Sequence, residues 1–218
     1  MPPRTIAFGD IHGCLAAFET LLDVVSPAAD DVLILLGDYI DRGPDSCQVI
    51  QRILDLDPQC RLVPLLGNHE VMMLEALKSM DYLIPWLQFG GQQTMDSYGG
   101  DPGQIPPEHL EFIRRLPKFH ETDTHLFVHA NYEHNLPLQR QSDDMLLWTH
   151  LSARIPEPHE SGKKAVVGHT PQVSGDILDL GHLVCIDTCC YGSGWLTALD
   201  VDSGETFQAD REGQIRLG

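Results

Sequence analysis

The sequence predicts an α/β fold from two observations. Short apolar runs recur along the chain, and each ends in a polar cluster. Continuous apolar runs of this length suit strands that are buried on both faces. Stretches with helical spacing, Leu15 to Val25 and Cys47 to Leu56, lie between the first three runs, which is typical of βαβ units. In such sheets the carboxyl ends of the strands form the ligand crevice, so we expect the functional site there.

Six apolar runs are the predicted buried strands. In chain order, with the polar residues that follow them, they are TIAF before Gly9-Asp10, VLILL before Gly37-Asp38, LVPLL before Gly67-Asn68, LFV before His129, AVV before Gly168-His169, and LVCI before Asp187. Each run delivers an Asp, Asn or His at its carboxyl end, so we expect six polar clusters to converge on one place.

Helices and a hairpin are predicted for the rest of the chain. A long helical region is expected from Glu70 to about Tyr98 and a second from Pro107 to Leu116. The segment LTALDVDSGETFQA alternates about a Ser203-Gly204 turn and predicts a hairpin. The polar stretch Pro156 to Lys164 is the best candidate for an exposed loop.

The composition fits one compact domain over residues 1–218. The chain is 42% hydrophobic and 21% charged, and its length allows a sizeable core. No run approaches the roughly 18 apolar residues of a membrane span, and the opening MPPRTIAFGD lacks the features of a signal peptide. We therefore expect a cytoplasmic protein without a membrane partner. Its six cysteines follow no disulfide or CxxC spacing, which favours reduced thiols.

The charge is strongly acidic, with 32 Asp and Glu residues against 14 Lys and Arg residues and a formal net charge of −18. Binding to a nucleic-acid backbone needs clustered Lys and Arg, so no nucleic-acid partner is predicted. Solubility is the simplest interpretation of the charge. The alternative is that the charge selects cationic surfaces or peptides that carry a phosphate.

Three glycine-flanked clusters and two histidines are suited to metal chemistry. The clusters are Gly9-Asp10-Ile11-His12-Gly13, Gly37-Asp38-Tyr39-Ile40-Asp41-Arg42-Gly43 and Gly67-Asn68-His69-Glu70. Singly, each is explained by a surface turn or a helix cap, and His129 or His169 alone is more often a core or surface residue. Together and in this order they favour a common site.

The motifs GDIHG, GDYIDRG, GNHE, VHA and GHT resemble the signature of the calcineurin-like metallophosphoesterase superfamily. More narrowly, the chain is similar to bacterial and phage-type serine/threonine phosphoprotein phosphatases, in a match that includes Gly90-Gly91, Thr94 and Ser97-Tyr98-Gly99. The resemblance implies a metallophosphoesterase fold, in which helices flank a central β-sandwich and the active site lies at the carboxyl ends of the strands.

The resemblance also implies a site for two divalent metal ions. Carried over by motif, the ligands are Asp10 and His12 for one ion, Asn68, His129 and His169 for the other, and Asp38 as the bridge. Oxygen and imidazole ligands without thiolates suit Mn²⁺ first, with Fe or Zn²⁺ as alternatives. Such a metal pair lowers the pKa of a shared water and clamps the phosphate oxygens.

Roles beside the metal site are assigned to five residues, of which Asn68 is also a metal ligand. His69 is the candidate proton donor to the leaving group, and Asp41 is expected to orient its imidazole. The planar fork of Arg42 would hold phosphate oxygens. Asn68 and His150 are further candidates for substrate binding.

His150 marks a departure from the bacterial branch, which often has an arginine two residues after a tryptophan, whereas here Trp148-Thr149 is followed by His150. Either His150 takes over this second phosphate grip, or Arg154 does so from the same helical face, or both face solvent. By resemblance alone, Asp187 and Tyr191 lie near the site. The run DTCCYGSG also departs from the commoner DTGA type, which bears on substrate choice and leaves the metal ligands intact.

The leading functional prediction is a metal-dependent phosphomonoester hydrolase that acts on phosphoserine or phosphothreonine in proteins or peptides, with phosphotyrosine as a further substrate. The alternative is a hydrolase of dinucleoside polyphosphates such as diadenosine tetraphosphate, which shares these motifs, although the chain looks short for the extra helices of that group. A third hypothesis is an inactive module that only binds phosphate. The presence of every expected ligand and of the proton donor argues against it.

Overall fold

Two five-stranded sheets with helices outside them make up the fold. The computed structural model describes residues 3–56 and 60–217, so residues 1–2, 57–59 and 218 of the single domain predicted over 1–218 lie outside the described part. The strands are β1 (Thr5–Phe8), β2 (Val32–Leu35), β3 (Arg61–Pro64), β4 (Phe119–Glu121), β5 (His125–Val128), β6 (Lys164–Val167), β7 (Leu178–Asp179), β8 (Leu183–Cys185), β9 (Leu196–Asp200) and β10 (Thr206–Ala209). The helices are α1 (Leu15–Val25), α2 (Ser46–Leu56), α3 (Asn68–Ala76), α4 (Met80–Trp86), α5 (Gln92–Ser97), α6 (Pro107–Arg115) and α7 (Asp143–Trp148).

Each sheet contains three parallel strands whose carboxyl ends lie at one edge. The order is β10-β9-β1-β2-β3 in the first sheet and β4-β5-β6-β8-β7 in the second. Strands β1, β2 and β3 pair in parallel, and so do β5, β6 and β8. The outer strands pair antiparallel, and β9 with β10 forms the hairpin predicted about Ser203-Gly204.

The inner faces of the two sheets share one apolar layer. Its buried side chains are Ala7, Ile34, Leu36, Leu65 and Leu199 from the first sheet and its ends, and Phe127, Val166, Val184 and Ile186 from the second. Two further cores fill the outer faces, one under α1 and α2 and the other under α7. The predicted fold class, a β-sandwich flanked by helices, is therefore confirmed.

The long helix predicted from Glu70 to Tyr98 is broken into shorter pieces. Helix α3 ends at Ala76, and the Ser79 side chain caps α4 by accepting from the Asp81 N–H at 3.2 Å. The segment Leu87–Gly91 follows, and the chain kinks there because Gly90 has a non-helical backbone conformation (φ 111°). Helix caps and glycine kinks of this kind interrupt a helix without interrupting its apolar periodicity. Among the described residues, no helix combines the length and the apolar character that a membrane crossing requires.

Candidate metal centre

The loops after five parallel strands bring the six predicted ligands together. Strand β1 leads into Asp10 and His12, β2 into Asp38, β3 into Asn68, β5 into His129 and β6 into His169. All six are buried, with at most 8% of the residue surface exposed. Parallel strands of both sheets end at this edge, so residues far apart in sequence become neighbours.

Asp38 belongs to both of two clusters of potential ligand atoms. His12, Asp38 and His69 form the first cluster, and Asp38, His129 and His169 form the second, each with its ligand atoms within 4.8 Å of one another. Asp38 Oδ2 lies 3.6 Å from His12 Nε2, whereas Asp38 Oδ1 lies 3.4 Å from His129 Nε2. Its two oxygens therefore face different clusters, as a bridging ligand requires.

Asn68 joins the second cluster, and Asp10 links the loops that carry the ligands. Asn68 Oδ1 lies 2.9 Å from both His129 Nε2 and His169 Nδ1. The Asp10 carboxylate accepts a hydrogen bond from the His169 backbone N–H at 3.0 Å, so the loops after β1 and β6 are joined at the site.

Backbone carbonyls orient two of the imidazoles. His12 Nδ1 lies 2.8 Å from the Ile40 oxygen, and His129 Nδ1 lies 2.8 Å from the Leu36 oxygen. A carbonyl only accepts, so each Nδ1 carries the proton and each Nε2 keeps a lone pair directed into the site. Burial lowers the pKa of His12 and of His129, and lowers the pKa of His169 to about 3, so all three are neutral near pH 7. The neutral imidazole is the form that binds metal.

The carboxyl groups at the site are buried, and two of them resist ionisation while no cation compensates them. Burial, and then the charge of Asp187, raise the pKa of Asp10, and burial raises the pKa of Asp187 to about 7. Burial opposes ionisation of Asp38, but the neighbouring histidines outweigh it and lower the Asp38 pKa, and among them His69, whose own pKa is raised, keeps a positive charge most readily. Buried carboxylates are stable when a cation compensates them. With oxygen and imidazole donors and neutral histidines, these residues fit divalent cations.

The backbone at the site is in an unusual conformation. The left-handed region, which costs a residue with a side chain about 1–2 kcal/mol, is occupied by His12 (φ 46°), Asp38 (φ 51°), Asp41 (φ 72°), Arg42 (φ 70°) and His169 (φ 63°). The neighbouring glycines allow close approach, since a Cβ on Gly168 would lie 2.1 Å from Asp10 Oδ1 and one on Gly67 would lie 2.2 Å from Asp38 Oδ1.

Glu70 holds two of the motif loops together. Its Oε2 accepts from the backbone N–H groups of Asp38 at 2.9 Å and Gly67 at 3.0 Å, and its Oε1 accepts from that of Tyr39 at 2.8 Å. Sequence reasoning missed this role. The available signal was its position three residues after Gly67, where a helix N-terminus favours a glutamate that bonds back to the cap.

His69 and Asp41 form a buried pair beside Asp38. Asp41 Oδ2 lies 2.6 Å from His69 Nδ1 and also accepts from Trp86 Nε1 at 2.8 Å, while Asp41 Oδ1 accepts from Thr94 Oγ1 at 2.6 Å. Burial favours neutral His69, but Asp38 and Asp41 outweigh it and raise the His69 pKa. The pair therefore keeps a proton available on the imidazole. Trp86 and Thr94 were not predicted as site residues.

Arg42 is fixed between the site and the kink at Gly90. Its Nη1 lies 2.9 Å from His12 Nε2, and its guanidinium carbon stacks 4.4 Å from the centre of the Tyr191 ring. Its backbone N–H donates to the Gly90 oxygen at 3.1 Å. The Tyr191 ring packs edge-on against His12 at 5.0 Å, so Tyr191 lies at the site as expected.

A cleft of about 240 Å³ opens over the centre. Its polar half consists of Asp38, Arg42, Asn68, His69, His150 and His169. Its apolar half, which the sequence did not indicate, consists of Met72, Phe89, Trp148 and Pro171.

His150, and not Arg154, lines this cleft. The His150 ring packs on His169 with 4.3 Å between ring centres. Helix α7 ends at Trp148, and both Nη atoms of Arg154 bond to the Glu133 carboxylate, at 2.8 and 2.7 Å. Arg154 is therefore engaged outside the cleft.

A family comparison agrees with this geometry. The model of the family described as calcineurin-like phosphoesterase matches residues 3–202. The chain belongs to this family. It is accordingly a phosphoesterase, and the family implies a dinuclear divalent-metal site, for which buried His and Asp residues are in place.

The proteins to which this chain is similar are named for different activities. The chain is 35% identical over 129 residues to the symmetrical bis(5'-nucleosyl)-tetraphosphatase of Burkholderia pseudomallei strain 668, a match that spans 59% of this chain and 42% of that protein. A solved structure named as a candidate diadenosine tetraphosphatase superposes with a TM-score of 0.74 at 22% identity, covering 95% of this chain and 93% of the other. The cold-active protein-tyrosine phosphatase of a psychrophilic Shewanella gives 0.69 at 17% identity, covering 98% and 80%. At these identities the structural matches show the fold alone.

Proposed function

We propose that this phosphoesterase hydrolyses dinucleoside polyphosphates such as diadenosine tetraphosphate. The observation that carries the proposal is the 35% identity to symmetrical bis(5'-nucleosyl)-tetraphosphatases, whereas the protein-tyrosine phosphatase is similar at the level of fold. This order reverses the sequence-based prediction, which placed a phosphoprotein phosphatase first and the dinucleoside polyphosphate hydrolase second. The match spans 42% of the relative's length, so the substrate rests on the residues of this chain and on the test below.

The proposed roles follow the placement of the side chains. The first ion would be held by Asp10 and His12, the second by Asn68, His129 and His169, and Asp38 would contact both. When bound, the two ions supply Lewis acidity and activate a water molecule for in-line attack. Arg42 and His150 line the same cleft and would orient phosphate oxygens.

Symmetrical cleavage of a tetraphosphate breaks the central phosphoanhydride. Water adds to one of the two central phosphorus atoms, and the bond from that phosphorus to the bridging oxygen breaks. One nucleoside diphosphate carries the oxygen of water, and the other leaves with the bridging oxygen. A phosphate leaving group is much less basic than an alkoxide, so it needs little protonation by His69.

A phosphoprotein substrate is the second candidate, and the pair of His69 and Asp41 favours it. Their 2.6 Å contact, with Asp41 fixed further by Trp86 and Thr94, suits the protonation of a poor leaving group such as the serine alkoxide. Hydrolysis of a phosphoanhydride would depend less on this pair, because its leaving group needs little protonation.

Product analysis separates the two candidates. Manganese-loaded protein is incubated in parallel with diadenosine tetraphosphate, a phosphoserine peptide, a phosphotyrosine peptide and p-nitrophenyl phosphate, and the products are resolved by anion-exchange chromatography. We expect two ADP per dinucleotide, at a higher kcat/KM than for either peptide. Release of AMP with ATP, or turnover of the peptides alone, would contradict the proposal.

Metal dependence is tested in the same assay. We expect no turnover after chelation and recovery on addition of Mn²⁺, with Fe²⁺ and Zn²⁺ compared at equal concentration. Phosphate binding without turnover of any of the four compounds under every metal would instead support the inactive binding module.

A further inference from the structure

One buried acid at the site, Asp187, has no role in the ligand set proposed above. It follows β8, and only 2% of its surface is exposed. Its Oδ1 accepts from the Cys189 backbone N–H at 3.1 Å, whereas its Oδ2 is buried without a hydrogen-bond partner among the described residues. A buried polar atom without a partner costs free energy, more so when it belongs to a carboxylate. The second oxygen therefore requires an explanation.

Asp187 lies beside another carboxylate. A Cβ on Gly9 would lie 2.3 Å from the Ile186 carbonyl oxygen, so the chain leaving β1 touches the chain leaving β8. Asp10 and Asp187 are the next residues along these two segments, and their charges act on each other. The charge of Arg42 also acts on Asp187, but Arg42 already contacts His12 and Tyr191.

A purely structural role does not account for the second oxygen. The turn at Cys189 uses one oxygen acceptor of Asp187, which an asparagine would supply equally well. Removing a second carboxylate from water beside Asp10 destabilises the protein unless a cation compensates it. His12 belongs to the ligand cluster on this side of Asp38, and Asp10, which accepts from the His169 N–H, is its proposed partner for that ion.

We propose that Asp187 is a further acidic residue of the metal centre, which strengthens binding of the ion held by Asp10 and His12. The residue acts by placing an additional negative charge beside that ion. The inference depends on the metal centre and is independent of which phosphate compound the enzyme hydrolyses.

Metal titration of the variant Asp187→Asn tests the proposal. The substitution keeps the shape and the Oδ1 acceptor for Cys189, and it removes the charge. Metal-free protein is titrated with Mn²⁺ by calorimetry, without any substrate, and its Tm is measured in chelator. We expect a loss of about 10- to 100-fold in affinity at one of two sites, the range for residues that support metal ligands. We also expect the metal-free variant to melt no lower than the parent, since a neutral amide replaces a carboxyl group that is buried beside Asp10.

Asp200→Asn is the matched control. Asp200 is also buried, at 6% exposed, and its Oδ1 likewise accepts from backbone N–H groups, those of Asp202 at 3.0 Å and Ser203 at 3.3 Å. It pairs with Ile6 at the far end of β1 from the site. We expect this variant to bind Mn²⁺ like the parent.

Two outcomes would overturn the proposal. They are parental Mn²⁺ affinity in Asp187→Asn and an equal loss of affinity in Asp200→Asn. Parental affinity together with a lower Tm of the metal-free variant would make Asp187 a turn residue. Asp187→Ser, which also keeps an oxygen, is measured in parallel in case the first variant does not fold. Because no substrate is present, failure of the proposed function leaves this result unaffected.

Discussion

His69 Nδ1 lies 2.6 Å from Asp41 Oδ2, in a contact that also fixes which nitrogen of the ring faces Asp38. Asp41 is buried, and Trp86 and Thr94 bond to the same carboxylate. The imidazole therefore has one orientation, with Nε2 3.9 Å from Asp38 Oδ2 at the edge of the cleft. An oriented imidazole next to a metal centre is suited to proton transfer.

We expect His69→Asn to lower kcat according to the leaving group. A phosphoserine peptide should lose roughly 10²- to 10⁴-fold, the usual contribution of a general acid, whereas diadenosine tetraphosphate and p-nitrophenyl phosphate should lose less. Asp41→Asn should act in the same direction more mildly, and the double variant should fall short of the sum of both effects because the residues act as a unit. Equal losses on all substrates would show that His69 supports the metal ligands instead.

We expect Asp38→Asn to be the most damaging single change, because the two oxygens of Asp38 face different clusters. Elemental analysis after Mn²⁺ loading and gel filtration should show less than one ion per chain, against two in the parent. Asp176→Asn, at an exposed ion pair with Arg216, is the control and should keep both ions. A variant that retained two ions and parental turnover would rule out the bridging role.

Phe89 should contribute to substrate choice. Its residue surface is 60% exposed, and it lines the apolar half of the cleft beside Gly90, whose oxygen is bonded to the Arg42 backbone. Aromatic stacking on a base is worth about 1–3 kcal/mol, so Phe89→Ala should raise KM for diadenosine tetraphosphate at least about fivefold and leave KM for glycerol phosphate unchanged. Tyr82→Ala, at a similarly exposed residue on α4 outside the cleft lining, should change neither. Parallel rises for both substrates would argue against base stacking.

Asp31 should stabilise the fold in a pH-dependent way. Burial disfavours its charge, but hydrogen bonds from Arg4 and from the Ala28 N–H outweigh burial and lower the Asp31 pKa. Because the Asp31 pKa is lower in the folded state, its contribution to stability is complete at pH values above the pKa of the unfolded state, near 3.8. This contribution is lost as the pH falls through the pKa of the folded state.

Asp31→Asn should therefore lower the free energy of unfolding by about 1–3 kcal/mol at pH 7, and the difference from the parent should shrink as pH falls below about 4. Urea unfolding in chelator at several pH values measures both quantities. Asp176→Asn, at an exposed pair, should cost less than about 1 kcal/mol. A difference independent of pH would mean that packing, and not charge, carries the effect.

The convergence of the six proposed metal ligands could be predicted from sequence because each lies within four residues of the end of a strand. Asp10, Asp38 and Asn68 lie shortly after the ends of β1, β2 and β3, so the positions of the apolar runs along the chain indicate where these side chains lie. Trp86 and Thr94 could not be predicted, since they reach Asp41 from α4 and α5. Their positions depend on where the helical region breaks, and tertiary packing decides that.

The motifs also could not indicate which of the two substrate classes should be placed first. The same metal cage and the same arginine serve phosphate esters and phosphoanhydrides, because both reactions displace a group from phosphorus in line. Phe89 and Trp148, which would contact the organic part of a substrate, line the cleft. Their spacing along the chain does not reveal that they lie next to the metal ligands.

Asp41 (φ 72°) and Arg42 (φ 70°) have a left-handed backbone conformation, so relief of backbone strain and catalytic turnover favour different residues at these positions. Glycine adopts this conformation without steric cost, whereas each of these residues gives up about 1–2 kcal/mol to hold its side chain in place. Selection of a mutant library for thermal survival alone should therefore recover glycine at Arg42 and not at Asp41, whose carboxylate bonds to His69, Trp86 and Thr94, and the survivors should be poor enzymes. Directed evolution of a more thermostable variant would need stabilising substitutions in the helices and outer strands, with these loops left unchanged.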